Sequence, residues 1–283
     1  MTAESPPRSR EPEGLFVEAD GMTIHYHEFG AGRPVIGLHG GGPGATGWSN
    51  FRGNIPALSA THRFLPVDMP QFGGSSRVPL NGPRLTRTAE VLDAFMDAIG
   101  LETADFIGNS MGGQAAMRLA INHPGRVRRL VLIGSTPVPY SGLTPQPLEG
   151  IKLLRSYYAG DGPSLDKMRR IMQTLVSDQS LVTEDAVQER YEASVEPELL
   201  AMHAAGNLFQ QEDLLAELGR IGCPTLLVWG QDDRMGALDV GLLMLRAIPD
   251  ARMHIFGKTG HWAQVERKAE FEQLVLAFLD AGA

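Results

Sequence analysis

The chain has 283 residues, a formal net charge of −8 and a hydrophobic fraction of 43%. This length admits one large domain or a core with an inserted subdomain, and the composition is typical of globular proteins. The acidic balance argues against a nucleic-acid or anionic-membrane surface, and no apolar stretch is long enough for a membrane span. The single cysteine, Cys223, excludes an internal disulfide. The polar, proline-rich stretch 1–13 does not resemble a secretory signal, so we expect a disordered tail and a cytoplasmic protein.

The first half of the chain alternates short apolar strands with amphipathic helices. Asp20-Gly21 is a strong hairpin signal between the first two strands. The predicted strands are Leu15–Ala19, Met22–Glu28, Pro34–Leu38, Arg63–Val67, Ala104–Ile107 and Val127–Ile133. The predicted helices are Trp48–Ser59, Leu85–Ile99 and a helix from Met111 to His123. This alternation is typical of a largely parallel sheet covered on both faces.

The alternation stops near Gly134, and residues 135–213 carry no strand pattern. Helices are predicted there over Glu149–Ala159, Leu165–Leu175, Glu184–Ala193 and Pro197–Phe209. The alternation resumes with strands at Thr225–Trp229 and Met253–Phe256 and helices at Ala237–Ala247 and Lys268–Leu279. The sequence therefore predicts one α/β core, residues 14–134 and 214–283, interrupted by a helical lid over 135–213.

A serine stands between glycines where a predicted strand runs directly into a helix, in Gly108-Asn109-Ser110-Met111-Gly112. This is the nucleophile-elbow pattern of α/β hydrolases. Side chains at the flanking positions would collide with the neighbouring strand and helix, which explains the glycines. A glycine-rich turn without catalytic function is the alternative, and the strand-to-helix context favours Ser110 as a nucleophile.

A serine hydroxyl needs a base, and the base needs an acid that orients it. In this fold the chain order is serine, acid, histidine. His261 lies in the loop between the last strand and the last helix, and Asp232 and Asp233 follow the strand that ends at Trp229. Catalytic groups of open α/β sheets collect at these carboxyl ends. Either aspartate can orient the base, or cap the next helix instead.

The tetrahedral intermediate of such a hydrolase needs two N–H donors. The fold takes one from the residue after the nucleophile, Met111, and one from the glycine-rich loop after the third strand. That loop is His39–Gly44, and its glycines let backbone approach a substrate. We choose Gly41 as the second donor, with Gly40 and Gly42 as neighbouring alternatives.

Several motifs together resemble one family. They are His39-Gly-Gly-Gly-Pro-Gly-Ala45 followed by Trp48-Ser49-Asn50, the elbow through Gly113, Trp229-Gly-Gln-Asp-Asp233-Arg234, Gly260-His261-Trp262-Ala263-Gln264, and Asp178-Gln-Ser-Leu181 with Arg190. They resemble the meta-cleavage product hydrolases, carbon–carbon bond hydrolases of bacterial aromatic and steroid ring degradation. The resemblance runs from about Thr23 to the C-terminus, core and lid alike.

The resemblance implies an α/β-hydrolase fold and a 2-hydroxy-6-oxo-dienoate substrate whose C5–C6 bond is hydrolysed after a dienol-to-keto tautomerisation. It assigns the acid to Asp233, the second aspartate of the pair. It also implies a homodimer or higher homo-oligomer, a small-molecule substrate as the partner, and neither cofactor nor metal. The residues that match positions used to bind or polarise substrate are Asn50, Asn109, Arg190 and Trp262.

The residues themselves support Arg190 in part. Thr183 can cap a helix on which Arg190 falls on the same face as Ala186 and Val187, so its charge needs a partner. A substrate carboxylate is one candidate, and a structural acid or a snorkelling surface position is the other. One departure is Gln71, where family members usually carry glycine. In this fold the loop lies near the entrance of the site, so the departure bears on which substrate is accepted and not on the reaction type.

The substrate carries a variable group, R, on its reacting carbonyl carbon. The lid residues indicate the size and polarity of this group. The apolar lid residues are Leu153, Leu154, Tyr157, Met168, Met172, Leu175 and Val176. If several line the pocket they favour a large hydrophobic R group, and otherwise they form the lid's own core. A carboxylesterase or thioesterase with the same triad is the alternative function, and a non-catalytic binding protein on this fold is a third reading.

Overall fold

A computed structural model describes residues 11–80, 82–138, 141–205, 209–210 and 212–281. The strands are β1 Leu15–Ala19, β2 Met22–Tyr26, β3 Arg33–Leu38, β4 His62–Val67, β5 Gly82–Pro83, β6 Ala104–Asn109, β7 Val127–Ile133, β8 Phe209–Gln210, β9 Thr225–Gly230 and β10 Ala251–Phe256. The helices are α1 Gly47–Phe51, α2 Ile55–Leu58, α3 Arg84–Ala98, α4 Met111–Asn122, α5 Glu149–Ser156, α6 Leu165–Leu175, α7 Glu184–Ser194, α8 Pro197–Ala204, α9 Leu238–Ala247, α10 Ala263–Glu266 and α11 Lys268–Asp280. The predicted tail, 1–13, lies outside the described residues except for 11–13.

Eight strands form one sheet in the order β1-β2-β4-β3-β6-β7-β9-β10. The pairs β1–β2 and β2–β4 are antiparallel. The remaining neighbours in this order, β4–β3, β3–β6, β6–β7, β7–β9 and β9–β10, are parallel. The carboxyl ends of β3, β6, β7 and β9 therefore meet at one edge, where the residues that follow these strands come together. The predicted α/β-hydrolase fold is confirmed.

Local sequence explains several of these elements. Asp20 and Gly21 both have positive φ, 49° and 74°, as a tight two-residue hairpin turn between β1 and β2 requires. The side chains of Ser164 and Thr183 accept backbone N–H bonds at the starts of α6 and α7. Both faces of the sheet are buried by helices, with α3, α4 and α9 on one side and α1, α2 and α11 on the other.

Two predicted helices differ from the structure. The one predicted over Trp48–Ser59 is broken into α1 and α2, and Pro56 lies in the first turn of α2. The one predicted over Pro197–Phe209 ends at Ala204, and Phe209–Gln210 instead pairs in parallel with Gly82–Pro83 as a second, two-stranded sheet. The prediction of no strand in 135–213 was wrong there, because so short a strand depends on its distant partner and carries no local pattern.

The stretch between β7 and β9, here called the inserted segment (residues 135–213), contains helices α5 to α8. Its apolar side chains form a cluster of their own, which also contacts Met235 and Trp262 of the core. The cluster includes Tyr157, Met168, Met172, Leu175 and Val176, so most of the apolar residues that the sequence singled out pack against one another. No helix in the described part of the chain combines the length and apolar character needed to cross a bilayer.

Candidate active site

Ser110 stands at the junction of β6 and α4 with φ 52° and ψ −117°. Positive φ is costly for a residue with a side chain, and such strain persists only where the surroundings impose it. The Ser110 N–H donates to the carbonyl of Ile133 on β7 at 2.8 Å, which fixes the turn against the neighbouring strand. The structure therefore holds this side chain at the carboxyl end of the sheet, on the first turn of a helix.

The glycines around Ser110 are required by close backbone approach. A Cβ on Gly108 would lie 2.4 Å from Gly113 Cα, and one on Gly112 would lie 2.3 Å from the carbonyl oxygen of Leu38. Any side chain at either position would force β6, α4 and β3 apart. The strand-to-helix turn that the sequence motif predicts is therefore tightly packed on both sides.

His261 and Asp233 form a buried pair. The imidazole Nδ1 lies 2.8 Å from Asp233 Oδ2, with side chains that are 3% and 1% exposed. The other carboxylate oxygen, Oδ1, accepts the N–H groups of Met235 and Gly236 at 2.7 and 2.9 Å. These bonds hold Asp233 as an acceptor, so Nδ1–H donates to it and Nε2 is left to act as a base.

Asp232, the other candidate acid, points away from the histidine. Its side chain is exposed, and its Oδ2 accepts a hydrogen bond from the Ser177 hydroxyl at 3.3 Å. Of the adjacent aspartates, Asp233 is the one that contacts His261 within the described residues.

The glycine-rich loop lies along the start of α4. A Cβ on Gly40 would approach Ser110 Cβ to 3.4 Å, and one on Gly41 would approach Met111 Sδ to 2.8 Å. Within the described residues, the N–H groups of Gly41 and Met111 donate no hydrogen bond. Two unpaired N–H groups beside a serine at a helix N-terminus are suited to binding negative charge.

His39 hydrogen-bonds with both ring nitrogens, one of them to this loop, so it is not available as a base. Its Nδ1–H donates to the Gly40 carbonyl at 2.8 Å, and its Nε2 accepts the Met69 N–H at 3.0 Å. Complete burial lowers the pKa of His39 and favours the neutral ring that these two bonds need.

Arg190 of α7 reaches over the same loop from the inserted segment. A Cβ on Gly42 would lie 2.8 Å from Arg190 Nη2, and the guanidinium carbon lies 5.1 Å from the ring centroid of Trp262. Its Nε is buried without a hydrogen-bond partner, and no ion pair of Arg190 occurs among the described residues. Burial lowers its pKa to about 10, which leaves the group charged at neutral pH. A partly buried cation with a buried Nε and no acidic partner among the described residues is suited to binding an anion.

Two asparagines of the site have buried amide atoms that lack a hydrogen-bond partner among the described residues. These atoms are Asn50 Nδ2 and Asn109 Oδ1, while Asn109 Nδ2 donates to the carbonyl of Ile133 at 3.1 Å. Sequence reasoning did not single out Gln264, whose side chain is 1% exposed and whose two amide atoms both lack partners. Asn50, Arg190, Trp262 and Gln264 line one cavity of about 310 Å³. Gln264 lies within the motif that contains His261, which was the signal that could have identified it.

Gln71 occupies a strained position. Its φ is 75°, its side chain is 1% exposed, and its Nε2 donates to the Val78 carbonyl at 3.2 Å while Oε1 has no partner. A glycine would adopt this φ without cost, which accounts for the glycine usual in the resembling family. Gln71 lines a cavity of about 590 Å³ that residues of the glycine-rich loop also border.

A family model described as the alpha/beta hydrolase fold matches residues 33–268, and the chain belongs to this family. A 2-hydroxy-6-oxo-6-phenylhexa-2,4-dienoate hydrolase of Comamonas testosteroni is 42% identical over 91% of both chains. A 2-hydroxy-6-oxononadienedioate/2-hydroxy-6-oxononatrienedioate hydrolase of Paraburkholderia phymatum is 39% identical over 91% of both. Among solved structures, a meta-cleavage product hydrolase of Pseudomonas fluorescens IP01 aligns with a TM-score of 0.83 and 30% identity, covering 95% of this chain and 98% of that one. Within the α/β hydrolases, the chain is a member of the meta-cleavage product hydrolases, as its motifs predicted.

Proposed function

We propose that this protein hydrolyses the C5–C6 bond of 2-hydroxy-6-oxo-hexa-2,4-dienoates, the ring-fission products of bacterial aromatic or steroid degradation. The observation that carries the proposal is the cation of Arg190, which has no acidic partner within the described part of the chain. It lies beside Gly42, and Gly42 belongs to the loop that also approaches Ser110 and Met111. An ordinary esterase needs the serine and its oxyanion donors. A partly buried cation that reaches this loop from α7 adds a preference for an anionic substrate.

Each polar group of the proposed substrate has a partner in this arrangement. Its carboxylate pairs with Arg190, which can bind two carboxylate oxygens at once. The unsatisfied amides of Asn50 and Gln264 and the indole of Trp262 border the same cavity and supply partners for the neighbouring 2-hydroxy or 2-oxo group. Asn109, next to the nucleophile, offers its unpaired Oδ1 between this end and the reacting carbon.

The reaction then runs at C6. After the dienol has become a keto tautomer with a proton added at C5, the C6 carbonyl oxygen lies at the N–H groups of Gly41 and Met111. Ser110 and His261 bring about addition at C6, either by direct water attack or through an acyl-serine, and Asp233 orients the imidazole and stabilises its protonated form. Cleavage sends the C5–C6 electron pair through the conjugated C3–C4 double bond to the C2 carbonyl oxygen, which is protonated. Water thereby supplies OH to C6 and H to the C2 oxygen, and the products are R-COOH and 2-hydroxypentadienoate.

We infer that the inserted segment acts as a lid in this reaction. Support comes from Arg190, which belongs to α7 but contacts the core loop, and from Met235 and Trp262, which pack into the apolar cluster of the segment. Exclusion of water by this cover strengthens the pairing of Arg190 with a carboxylate. The homo-oligomer and the cytoplasmic location that the sequence suggests stay predictions.

The experiment compares two substrate classes. Ring-fission dienols are coloured at mildly alkaline pH, and hydrolysis bleaches them. We expect purified protein to bleach 2-hydroxy-6-oxo-dienoates with a kcat/KM that exceeds its value for neutral p-nitrophenyl esters. Rapid turnover of the esters together with no bleaching of aryl, alkyl or steroid-derived dienoates would contradict the proposal and favour an esterase.

A further inference from the structure

The catalytic histidine is flanked on both sides by backbone contacts with the inserted segment. The N–H of Trp262, which follows His261, donates to the carbonyl of Leu175 at the end of α6 at 3.1 Å. On the other side, a Cβ on Gly260 would lie 2.8 Å from the same carbonyl oxygen and 2.9 Å from Val176 Cα. The inserted segment therefore lies directly against the residues before and after the base, and a side chain at position 260 would force the two backbones apart.

One carboxylate joins the two backbones at this point. Glu266 Oε1 accepts the N–H of Gly260 at 2.6 Å. Its Oε2 accepts the N–H groups of Ser177 and Asp178, in the inserted segment, at 2.7 and 2.9 Å. Hydrogen bonds from N–H groups to a carboxylate are stronger than those between neutral groups, and three of them end on this one side chain. Glu266 therefore ties the loop of the base to residues 175–178, which are called the docking segment below.

The docking segment also contacts the loop of the catalytic acid. The Ser177 hydroxyl donates to Asp232 Oδ2 at 3.3 Å, and Asp232 precedes Asp233. The Asp232 N–H donates in turn to the carbonyl of Thr259, two residues before the base, at 2.9 Å. The loops of acid and base are thus joined to each other and to the docking segment. A displacement of this segment would disturb the 2.8 Å hydrogen bond between Asp233 and His261.

We propose that the docking segment positions the catalytic base, and that Glu266 is the positioning residue through which it does so. The inserted segment then has two separate tasks, because α7 brings Arg190 to the substrate while the end of α6 holds the loop of His261. The Ser110 hydroxyl gives up its proton only to an imidazole within hydrogen-bond distance, and a misplacement of about 1 Å lowers a rate by about 100-fold. The inference rests on the serine-hydrolase part of the proposed function and applies to any substrate of that serine.

The first test is Glu266→Gln, which keeps the size of the side chain and removes the carboxylate. An amide offers one acceptor oxygen, so its NH2 group faces either the Gly260 N–H or those of the docking segment. We expect kcat to fall by about 10- to 100-fold on a dienoate and on a neutral p-nitrophenyl ester, with KM for the dienoate changed by less than about 2-fold because Arg190 stays in place. Rates are compared at a pH above which they no longer rise, so that a shifted pKa of His261 cannot lower them. Glu270→Gln, on the exposed face of α11, is the matched control.

A second variant breaks the same contact without changing a charge. Gly260→Ala places a methyl group against the backbone of the docking segment, whereas Gly257→Ala in the same loop meets only the end of the Gln231 side chain, at 3.4 Å. Neither position has a positive φ that would itself oppose alanine. We expect Gly260→Ala to lower kcat as Glu266→Gln does, and Gly257→Ala to keep it. The double variant of Gly260 and Glu266 should lose little more than the worse single variant, because both changes break one contact.

An unchanged kcat in Glu266→Gln would overturn the inference and leave hydrolysis at Ser110 intact. A fall in kcat no larger than the loss of folded protein, measured by near-ultraviolet circular dichroism, would also overturn it by assigning Glu266 to folding alone. A rise in KM for the dienoate as large as the fall in kcat would contradict the separation of the two tasks. If the unmodified protein cleaves esters but no dienoate, the proposed function fails, and the inference is still decided on the ester. If it cleaves neither, both fail.

Discussion

The guanidinium of Arg190 lies over the indole of Trp262, with 5.1 Å between the guanidinium carbon and the ring centroid. One residue comes from the inserted segment and the other follows His261 in the core. This contact orients a cation toward the glycine-rich loop without neutralising it, because an aromatic face attracts a cation and supplies no counter-charge. In the proposed function, the carboxylate of the substrate supplies this counter-charge.

Removing this cation should weaken dienoate binding specifically. We expect Arg190→Met to raise KM for a dienoate by about 10- to 100-fold, the loss of charge-assisted hydrogen bonds to a carboxylate, with little effect on a neutral ester. Steady-state kinetics on both substrates measure this. Arg170→Met, on the exposed face of α6, is the matched control and should behave like the unmodified protein. Equal losses on dienoate and ester would indicate a structural role.

The adjacent aspartates should differ sharply in their effect on turnover. We expect Asp233→Asn to lower kcat by about 10³- to 10⁴-fold, because an amide no longer holds the imidazole in the reactive tautomer. Asp232→Asn should leave kcat near its original value, since its exposed carboxylate contacts Ser177 and not His261. A comparable loss in both variants would contradict the assignment of the acid. Pre-steady-state traces would also reveal whether the remaining activity retains the same rate-limiting step.

Backbone strain at Gln71 predicts an unusual order of stabilities. Gln71→Ala and Gln71→Gly both lose the hydrogen bond to Val78, but only alanine keeps the cost of φ 75°. We expect the glycine variant to be more stable than the alanine variant by about 1 kcal/mol in its free energy of unfolding. Urea unfolding of the two proteins measures the difference. An alanine variant as stable as the glycine variant would indicate that the loop relaxes.

The pair His25–Asp68 predicts a pH-dependent contribution to stability. Burial opposes the charge on His25, but the 2.7 Å hydrogen bond to Asp68 and its negative charge outweigh burial and raise the pKa of His25. A raised pKa in the folded state contributes stability that is full below the unfolded value of about 6.5 and is lost as pH rises through the folded value. His25→Gln should remove this decline. A decline of the same size in His25→Gln would assign it to another group.

Local signals in the sequence predicted much of this fold. The bounds of β1, β7 and α6 agree with the structure residue for residue, because the two strands are largely apolar runs closed by turn residues and α6 is an amphipathic segment that begins after the capping Ser164. The pairing of Phe209–Gln210 with Gly82–Pro83 was missed, since it joins segments more than a hundred residues apart in the chain. Strand and helix patterns describe neighbours in sequence, and a contact of this kind leaves no trace in them.

The candidate site also contains residues that local motifs predict and residues that only the folded structure identifies. Ser110 and His261 could be chosen from motif and context, whereas Asp233 was chosen over Asp232 only by resemblance to the family, because spacing does not reveal which of two adjacent aspartates contacts the histidine. Gln264 was overlooked because a buried amide is recognised by its missing partners and not by its spacing.

The most direct test of carbon–carbon hydrolysis at Ser110 is identification of the products from 2-hydroxy-6-oxo-6-phenylhexa-2,4-dienoate, incubated with the unmodified protein and with Ser110→Ala. We expect equal amounts of benzoate and 2-hydroxypentadienoate from the unmodified protein. For Ser110→Ala we expect a rate of product formation lower by at least about 10³-fold. An unchanged rate in Ser110→Ala would remove this serine from the mechanism. Consumption of the dienoate without benzoate would contradict cleavage of the C5–C6 bond.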